Sequence, residues 1–350
     1  GCVEVFTGSV ELDEGVVEAD GLEVGSWQLT TNLRFGWQDQ RFYWQEGFTK
    51  WIEIYQPDVL AVECNPRILS NLGGFKKARE LSIPLIGWGM GVMGNADDQG
   101  LYGRVMKRYF SQFDAMIAYG TKGAADYAKL GVRSENIFIA PNSVSNSDAE
   151  ILYGESDQGS RSIERYREKL NLREVPVVLF LGRLIAEKQV DLLLEAVNLV
   201  REPCEIFIVG DGPIRQELES IATKNSMAVR FFGHLEGREL ALVIAMSDIA
   251  VLPGLGGLAV QEVMSYGKPV IVGSADGTQW DLVKDGETGY HLREQTPLEL
   301  ARLLSTCFAN PNRLSEMGKA SRNMIQTKHN MELSVDAVVT TLDCVMSRIN

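Results

Sequence analysis

Residues 249–262 read IAVLPGLGGLAVQE, and this stretch decides the fold class of the region around it. A short apolar run ends at Pro253, glycines follow at 254, 256 and 257, and a second apolar run begins near Gly257. This order predicts a buried strand, a turn and a helix. Because glycine lacks a β-carbon, the backbone of such a turn can approach a phosphate or sugar oxygen closely. The alternative is an ordinary glycine-rich turn with Glu262 in a surface ion pair.

Apolar runs of the same kind recur along the whole chain, alternating with amphipathic stretches. Nearly continuous apolar strands are typical of parallel sheets covered by helices on both faces, so the pattern predicts βα repeats. In the second half the predicted strands are 177–181, 206–209, 229–232, 249–252 and 270–272. In the first half they are 3–6, 59–62, 84–87, 115–118 and 137–140, with helices at 42–55, 68–81 and 122–130. Residues 7–40 predict a long loop with room for one hairpin.

A change in composition divides the chain. Residues 143–161 are rich in Ser, Asp and Gly, as linkers are, and a charged helix at 162–170 follows. We therefore predict an N-terminal Rossmann-like domain at 1–145, a linker and connecting helix at 146–174, a C-terminal domain at 175–331 and a C-terminal helix at 332–350. Two such domains leave a cleft at the carboxyl edges of their sheets, where ligands of open α/β sheets bind.

The overall composition excludes several classes of protein. With 45% hydrophobic and 23% charged residues the chain is typical of globular proteins, and its net charge of −13 argues against a nucleic-acid partner. No apolar run approaches the length of a transmembrane helix, and no secretory leader is evident. Five scattered cysteines without a CxxC spacing predict reduced thiols and a cytoplasmic location rather than disulfides or a zinc site.

Two cations follow the strand at 177–181. Gly182 ends the apolar run, and Arg183 and Lys188 come next, on the predicted loop and first helical turn. Cations beside a helix N-terminus can hold a diphosphate, because its negative charge is concentrated. The alternative is a pair of solvated surface charges, which describes most Lys and Arg side chains.

Further motifs place these two stretches in a family. After Gly182-Arg183-(x)4-Lys188 and in chain order come GDGP at 210–213, FGH at 232–234, SDIAVLP at 247–253, the glycine turn ending in Glu262, MSYGKPVI at 264–271 and DGETG at 285–289. Over residues 175–310 the chain thus resembles glycosyltransferase family 4, and PNSV at 141–144 resembles that family's PNGV segment. The resemblance implies the GT-B fold: two Rossmann-like domains facing across a cleft, with the C-terminal helix packing back toward the N-terminal domain.

The resemblance also implies roles for particular residues. Arg183 and Lys188 would neutralise the donor diphosphate, Glu262 would contact the ribose, and no bound metal would be required. The chain has three histidines and no Asp-x-Asp at a strand exit, which agrees with the last point. The positions that match donor-contacting residues of the family, or lie beside them, are Gly182, Gly212, Gly256, Gly257, Leu258, Glu262 and Thr278.

Two positions depart from the family pattern. Gly254 stands where the family has a Glu that contacts the transferred sugar, so sugar recognition must differ. The segment 276–281 could supply the missing polar contact, or Asp276 and Thr278 could simply cap a helix. Met90 stands where many relatives have a His facing the reacting sugar, so any His-dependent step is absent or replaced. The family's first strand and helix are also expected to be missing from the start of this chain.

Acceptor-side candidates follow from topology. Asn65 and Arg67 come directly after a predicted strand, as do Trp88 and Met90, so all four are expected at the cleft. The alternative is a turn in which Asn65 caps a helix and Pro66 occupies its first position. Basic residues at 76–79 and 107–108 could face an anionic acceptor or a lipid surface, although residues 1–150 carry 13 basic and 20 acidic side chains.

Together these features predict a retaining glycosyltransferase that uses a UDP- or GDP-sugar. The acceptor is expected to be a glycan or glycolipid, with peripheral membrane contact left open. Two alternatives remain: a non-catalytic nucleotide-sugar-binding subunit of a partner transferase, which the changes at 254 and 90 favour, and a GT-B nucleotide-sugar epimerase.

Overall fold

The structure is a computed structural model that describes residues 5–8, 27–36, 42–92, 100–144, 149, 156–273 and 277–348. The chain divides into two compact units. Unit 1 comprises residues Gly1–Ala140 and Asp336–Asn350, and unit 2 comprises Pro141–Val335.

Unit 2 is built on a six-stranded parallel sheet. The two central strands, Val177–Leu181 and Ile249–Leu252, are completely buried because helices cover both faces of the sheet. The strand order is β11-β10-β9-β12-β13-β14, which is the order 3-2-1-4-5-6 of doubly wound nucleotide-binding sheets. The order reverses between β9 and β12. The strands are β9 Val177–Leu181, β10 Glu205–Val209, β11 Val229–Gly233, β12 Ile249–Leu252, β13 Val270–Val272 and β14 Gly289–His291.

The helices of unit 2 cover both faces of this sheet. Helix ends carry ordinary caps: Thr296 accepts a hydrogen bond from the N–H of Glu299, and Pro297 occupies the first turn. Lys268 donates to the carbonyl oxygens of Ala245 and Ser247, both at 2.7 Å, at the end of helix α8. The helices are α5 Ser156–Lys169, α6 Val190–Val197, α7 Arg215–Lys224, α8 Gly237–Met246, α9 Ala259–Ser265, α10 Gln279–Leu282, α11 Pro297–Phe308 and α12 Pro311–Lys328.

Unit 1 contains a four-stranded parallel sheet in the order β5-β6-β7-β8. Two smaller pairs accompany it: β1 with β2, which are parallel, and β3 with β4, an antiparallel pair. The strands are β1 Val5–Gly8, β2 Trp27–Thr30, β3 Asn32–Phe35, β4 Phe42–Gln45, β5 Leu60–Glu63, β6 Leu85–Gly89, β7 Ala115–Ala118 and β8 Ile137–Ile139. The helices are α1 Phe48–Tyr55, α2 Ser70–Glu80, α3 Leu101–Phe110 and α4 Thr121–Lys129.

Three sequence-based assignments were wrong in detail. The helix predicted at 42–55 begins only at Phe48, because Phe42–Gln45 pairs as strand β4 with β3. The helix predicted at 162–170 begins at Ser156 and ends at Lys169. Strand β14, Gly289–His291, was not predicted at all, since three residues are too few to show an apolar period. Most of the predicted loop at 7–40 and linker at 143–161 lies outside the described residues.

The C-terminal helix α13, Met331–Met346, begins in unit 2 and ends in unit 1. Val345 is 1% exposed and packs with Ile86, Ala115 and Ile117 of the unit 1 sheet. Beyond the helix, Arg348 donates to the side-chain oxygen of Asn136 at 2.8 Å. The prediction that this helix packs back on the N-terminal domain is thus confirmed. Within the described ranges, no helix combines the length and the apolar character needed to cross a membrane.

Candidate active site

The exit of strand β9 carries the two predicted cations. Gly182 has a φ of 148°, a conformation that L side chains rarely adopt, and it turns the chain toward the exposed Arg183. Lys188 ends a short 3-10 turn, Ala186–Lys188. Helix α6 starts only at Val190, so Lys188 precedes the helix. The prediction that placed Lys188 in the first helical turn was therefore wrong.

The glycine-rich loop after β12 packs directly on this segment. The N–H of Gly254 donates to the carbonyl of Lys188 at 3.2 Å, and the N–H of Leu255 donates to that of Glu187 at 3.1 Å. In return, the ammonium of Lys188 donates to the carbonyl oxygen of Leu255. Three hydrogen bonds therefore hold the cation-bearing loop and the glycine loop together at the point where the strand order reverses.

The predicted donor-binding glycines converge on the same side chain. A β-carbon on Gly182 would lie 3.8 Å from Cε of Lys188, and one on Gly257 would lie 4.0 Å from its Nζ. Gly257 has a φ of 61°. Residues 75 positions apart in the chain thus both approach the side chain of Lys188.

Gly254 explains one departure from the family pattern in physical terms. A β-carbon at this position would lie 2.0 Å from the carbonyl oxygen of Glu187 and 2.8 Å from the backbone of Lys188. Backbone cannot yield as a flexible side chain can, so this loop conformation admits no residue larger than glycine at 254. The glutamate that the family has at this position is therefore incompatible with the loop as it is packed here.

Gly256 borders a side chain that the sequence reasoning passed over. A β-carbon on Gly256 would lie 2.8 Å from Nε2 of Gln279. Gln279 is 2% exposed, and among the described residues neither its amide oxygen nor its amide nitrogen has a hydrogen-bond partner. Its only sequence signal was its place within segment 276–281. Thr278 is the N-cap of α10 but makes no side-chain capping bond, and Asp276 lies outside the described residues.

Gly212 has a packing role as well as the contact implied by the family. A β-carbon there would lie 2.3 Å from the carbonyl oxygen of Leu184, so the β10 exit can lie against the β9 exit only with glycine at this position. Beside it, the carboxylate of Asp211 accepts from the N–H of Gly212 at 2.8 Å and from Arg215 at 3.0 Å. The hydrogen bond from the N–H of Gly212 contributes most to holding the pKa of Asp211 below its usual value, and the hydrogen bond from the guanidinium of Arg215 adds to this effect.

Helix α9 begins at Ala259, two residues later than expected, with Leu258 as its N-cap. Glu262 lies half-buried in its first turn, where the family places the ribose contact. Gln261 donates from the same turn to the carbonyl oxygen of Asn142, which belongs to the PNSV segment. That segment and the glycine helix are therefore neighbours within unit 2.

In unit 1, three of the four acceptor-side candidates border one cavity. Asn65, Arg67 and Met90 line a cavity of about 820 Å3 at the carboxyl ends of β5 and β6. The side chain of Trp88 lies elsewhere: it packs against the cluster on the opposite face of the sheet, and its ring centroid is 6.5 Å from that of Tyr119. Alternation along strand β6 explains this, since Trp88 and Gly89 must face opposite ways.

Asn65 does not cap a helix. Its side-chain oxygen accepts from the N–H of Arg67 at 3.0 Å and its amide donates to Glu63 at 3.2 Å, which shapes a turn. Helix α2 starts later, at Ser70, so Pro66 is not at its first position. Over the ranges that the structure describes, no three His, Cys, Asp or Glu side chains come together to form a metal site. That no metal is required stays a prediction.

Comparison with known proteins identifies a family that the second half of the chain resembles. Residues 162–324 match the family described as glycosyl transferases group 1. This region is similar to the domain that defines group 1 glycosyltransferases. The sulfoquinovosyl transferase of Arabidopsis thaliana is 32% identical over 155 residues, which are 43% of this chain and 30% of that protein. The α-D-kanosaminyltransferase of Streptomyces kanamyceticus is 26% identical over 192 residues, 53% of this chain and 49% of that one. The matches thus span half or less of these two relatives.

Solved structures match over a larger share of the chain. The Anabaena protein HepE, solved in complex with UDP, has a TM-score of 0.71 at 18% identity and covers 91% of this chain and 86% of its own. Sucrose-phosphate synthase of Thermosynechococcus elongatus has a TM-score of 0.64 at 20% identity, covering 85% and 76%. These likenesses show the fold, and the predicted α/β GT-B class is confirmed.

Proposed function

We propose that this protein is a retaining glycosyltransferase, which transfers a sugar from a UDP- or GDP-sugar to a glycan or glycolipid acceptor. One observation carries the donor half of the proposal. The ammonium of Lys188 and the glycines at 182 and 257 meet where the unit 2 strand order reverses. Doubly wound sheets bind nucleotides at this place, because the loops of the two central strands diverge there.

The chemistry asked of the donor site is mainly electrostatic. In the transfer, a hydroxyl oxygen of the acceptor bonds to the anomeric carbon, and the bond from that carbon to the diphosphate oxygen breaks. Negative charge grows on the departing diphosphate, and Lys188 and Arg183 would stabilise it from one side. The acceptor proton passes to the leaving phosphate oxygen, so the reaction needs no histidine at position 90.

A calorimetric titration tests the donor site. We expect Lys188→Met to weaken binding of UDP or GDP roughly tenfold or more, because it removes a charge-assisted contact to phosphate. Lys224→Ala, which removes an exposed lysine from helix α7 of the same unit, serves as the matched control and should leave affinity unchanged. Equal affinity of Lys188→Met and the unmodified protein for both nucleotides would contradict the assignment.

Gly254 favours a second candidate, a non-catalytic subunit that binds a nucleotide sugar for a partner transferase. The packing of that glycine excludes the family's sugar-contacting glutamate. Release of UDP or GDP from nucleotide sugars in the presence of mixed acceptors separates the two functions. Nucleotide binding without any release would favour the subunit, whereas acceptor-dependent release supports the transferase.

A further inference from the structure

The cavity of unit 1 is larger and more apolar than a site for a simple sugar needs to be. Its volume of about 820 Å3 lies in the upper part of the range for ligand pockets. Aliphatic, aromatic and thioether side chains supply much of the lining, among them Leu69, Leu72, Met90, Val105 and Met106. A monosaccharide presents hydroxyl groups that such walls would leave unpaired. The lining favours a ligand with an apolar chain.

Two of the lining residues, Cys64 and Tyr109, are buried and uncharged. The thiol of Cys64 and the hydroxyl of Tyr127 are hydrogen-bonded at 3.0 Å, and burial raises the pKa of Cys64 to about 12. Burial likewise raises the pKa of Tyr109, whose hydroxyl accepts from Asn71 at 3.4 Å. A β-carbon on Gly89 would lie 2.7 Å from the Cys64 sulfur, so these two lining residues are closely packed. Neutral, tightly packed groups suit an apolar ligand.

Apolar side chains at the rim of the cavity face solvent. Leu72 and Val105 are each 52% exposed, Tyr102 is 55% exposed and Met90 46%. Single exposed apolar residues are ordinary, but several around one opening mark a surface that another apolar body covers.

The hairpin β3–β4 extends this apolar surface. Leu33 pairs with Trp44 and Phe35 with Phe42, so all four side chains share one face of the hairpin, and they are 37–52% exposed. The polar residues Asn32, Arg34, Tyr43 and Gln45 occupy the other, half-buried face. This distribution is the reverse of the usual one for a sheet beside water. Phe42 also lines the cavity, so the face and the cavity are continuous.

Positive charge surrounds the same opening, although the chain as a whole is acidic. Arg67 and Arg108 line the cavity, and within the described ranges neither guanidinium takes part in an ion pair. Glu63 also lines it, where its carboxylate accepts from Asn65. Helix α3 carries Arg104, Lys107 and Arg108 and has no acidic residue. Its exposed side chains therefore combine apolar groups with cations, as on helices that lie at an anionic lipid surface.

We propose that this cavity binds an anionic amphiphile drawn from a membrane, and that this lipid is the acceptor of the proposed sugar transfer. The apolar chain occupies the cavity. Arg67 and Arg108 pair with the negative group, and the hairpin face and helix α3 contact the bilayer. The part that concerns acceptor identity rests on the function proposed above, whereas binding of the lipid does not.

Vesicle sedimentation tests the binding. The unmodified protein should sediment with phosphatidylcholine vesicles that contain phosphatidylglycerol, more weakly at high NaCl, and not with pure phosphatidylcholine. Arg67→Gln/Arg108→Gln should weaken this binding roughly tenfold or more. Phe35→Ser/Trp44→Ser should weaken it as well, and both of these changes are at exposed positions. Arg133→Gln and Leu298→Ser, which remove an exposed cation and an exposed apolar side chain elsewhere, are the matched controls.

Three results would overturn the proposal: no binding to anionic vesicles, equal binding to neutral ones, or no change in the arginine variant. Inorganic phosphate, added alone, should not displace the protein from vesicles if the chain of the lipid is bound as well.

Release of UDP or GDP on addition of lipid tests the acceptor role on the same samples. Vesicle binding by a protein that takes up no nucleotide would refute the transferase and leave the lipid site intact. Nucleotide binding without vesicle binding would refute the lipid site alone.

Discussion

The α-carbon of Gly254 lies so close to the carbonyl oxygen of Glu187 that a β-carbon on it would be 2.0 Å from that oxygen. This contact, between the loop after β12 and the loop after β9, sets the position of the glycine-rich turn relative to Lys188. It also leaves no room for the glutamate that the family resemblance implies at this position. The glycine-rich loop is thus held by backbone contacts together with the side chain of Lys188.

Gly254→Ala should therefore displace the loop. We expect the affinity for UDP or GDP to fall roughly tenfold and Tm to drop, because two backbone segments must separate. Calorimetry and thermal unfolding measure the two effects. Gly73→Ala, in helix α2, is the control, because its new β-carbon would meet only the hydroxyl of Thr49, at 3.2 Å. An alanine at 254 that binds nucleotide normally would show that the loop is not held as described.

Gln279→Met should stabilise the protein without ligand by about 1 kcal/mol. In the part of the chain that the structure describes, the buried amide of Gln279 has no hydrogen-bond partner. Such a group costs free energy that a thioether of similar size does not. Denaturant titration gives the change in the free energy of unfolding. Asn225→Met, an exposed amide at the end of helix α7, should show no comparable gain. Destabilisation by Gln279→Met would mean that the amide is satisfied in solution.

Lys268 should make stability depend on pH in the alkaline range. Burial lowers its pKa from 10.5 to about 8, with Asp248 opposing the shift and Arg167 adding to it. The unfolded chain thus binds more protons than the folded one between pH 8 and 10.5, and the free energy of unfolding rises with pH in that window.

The measurement is the difference in the free energy of unfolding between the unmodified protein and Lys268→Met, followed from pH 7 upward. We expect this difference to move by up to about 3 kcal/mol in favour of the unmodified protein as the lysine loses its proton. A difference that stays constant over the window would show that the ammonium at the end of helix α8 titrates normally.

Glu205 should support stability at neutral pH and lose this effect in acid. Burial raises its pKa, but hydrogen bonds from Arg230 and Arg173 outweigh burial and lower it below 4.5. The stabilisation is complete above pH 4.5 and disappears as the pH falls through the lower folded-state pKa. Glu205→Gln should cost about 2 kcal/mol at pH 7 and much less in acid. Glu135→Gln, in the exposed pair with Arg133, should change stability little at either pH.

Several elements follow from local sequence alone. The buried strands Val177–Leu181, Ala115–Ala118 and Ile249–Leu252 lie where continuous apolar runs predict them, because strands covered on both faces need apolar side chains at every position. The glycine-rich turn and the cations at 183 and 188 were likewise evident, and family motifs connected them. Strand β4 was misassigned because only the two-residue turn at 46–47 separates it from helix α1, so its aromatic residues were included in the predicted helix 42–55.

What the sequence by itself determined is the βα repeat and the set of candidate donor-side residues, since both depend on patterns a few residues long. Only the tertiary structure decided the rest. It brought Lys188 against a loop 67 residues away and left no room for a side chain at 254. It also turned Trp88 away from the cavity of unit 1 and placed apolar groups and two arginines around that cavity. These outcomes depend on distances between segments remote in the chain, which no local pattern encodes.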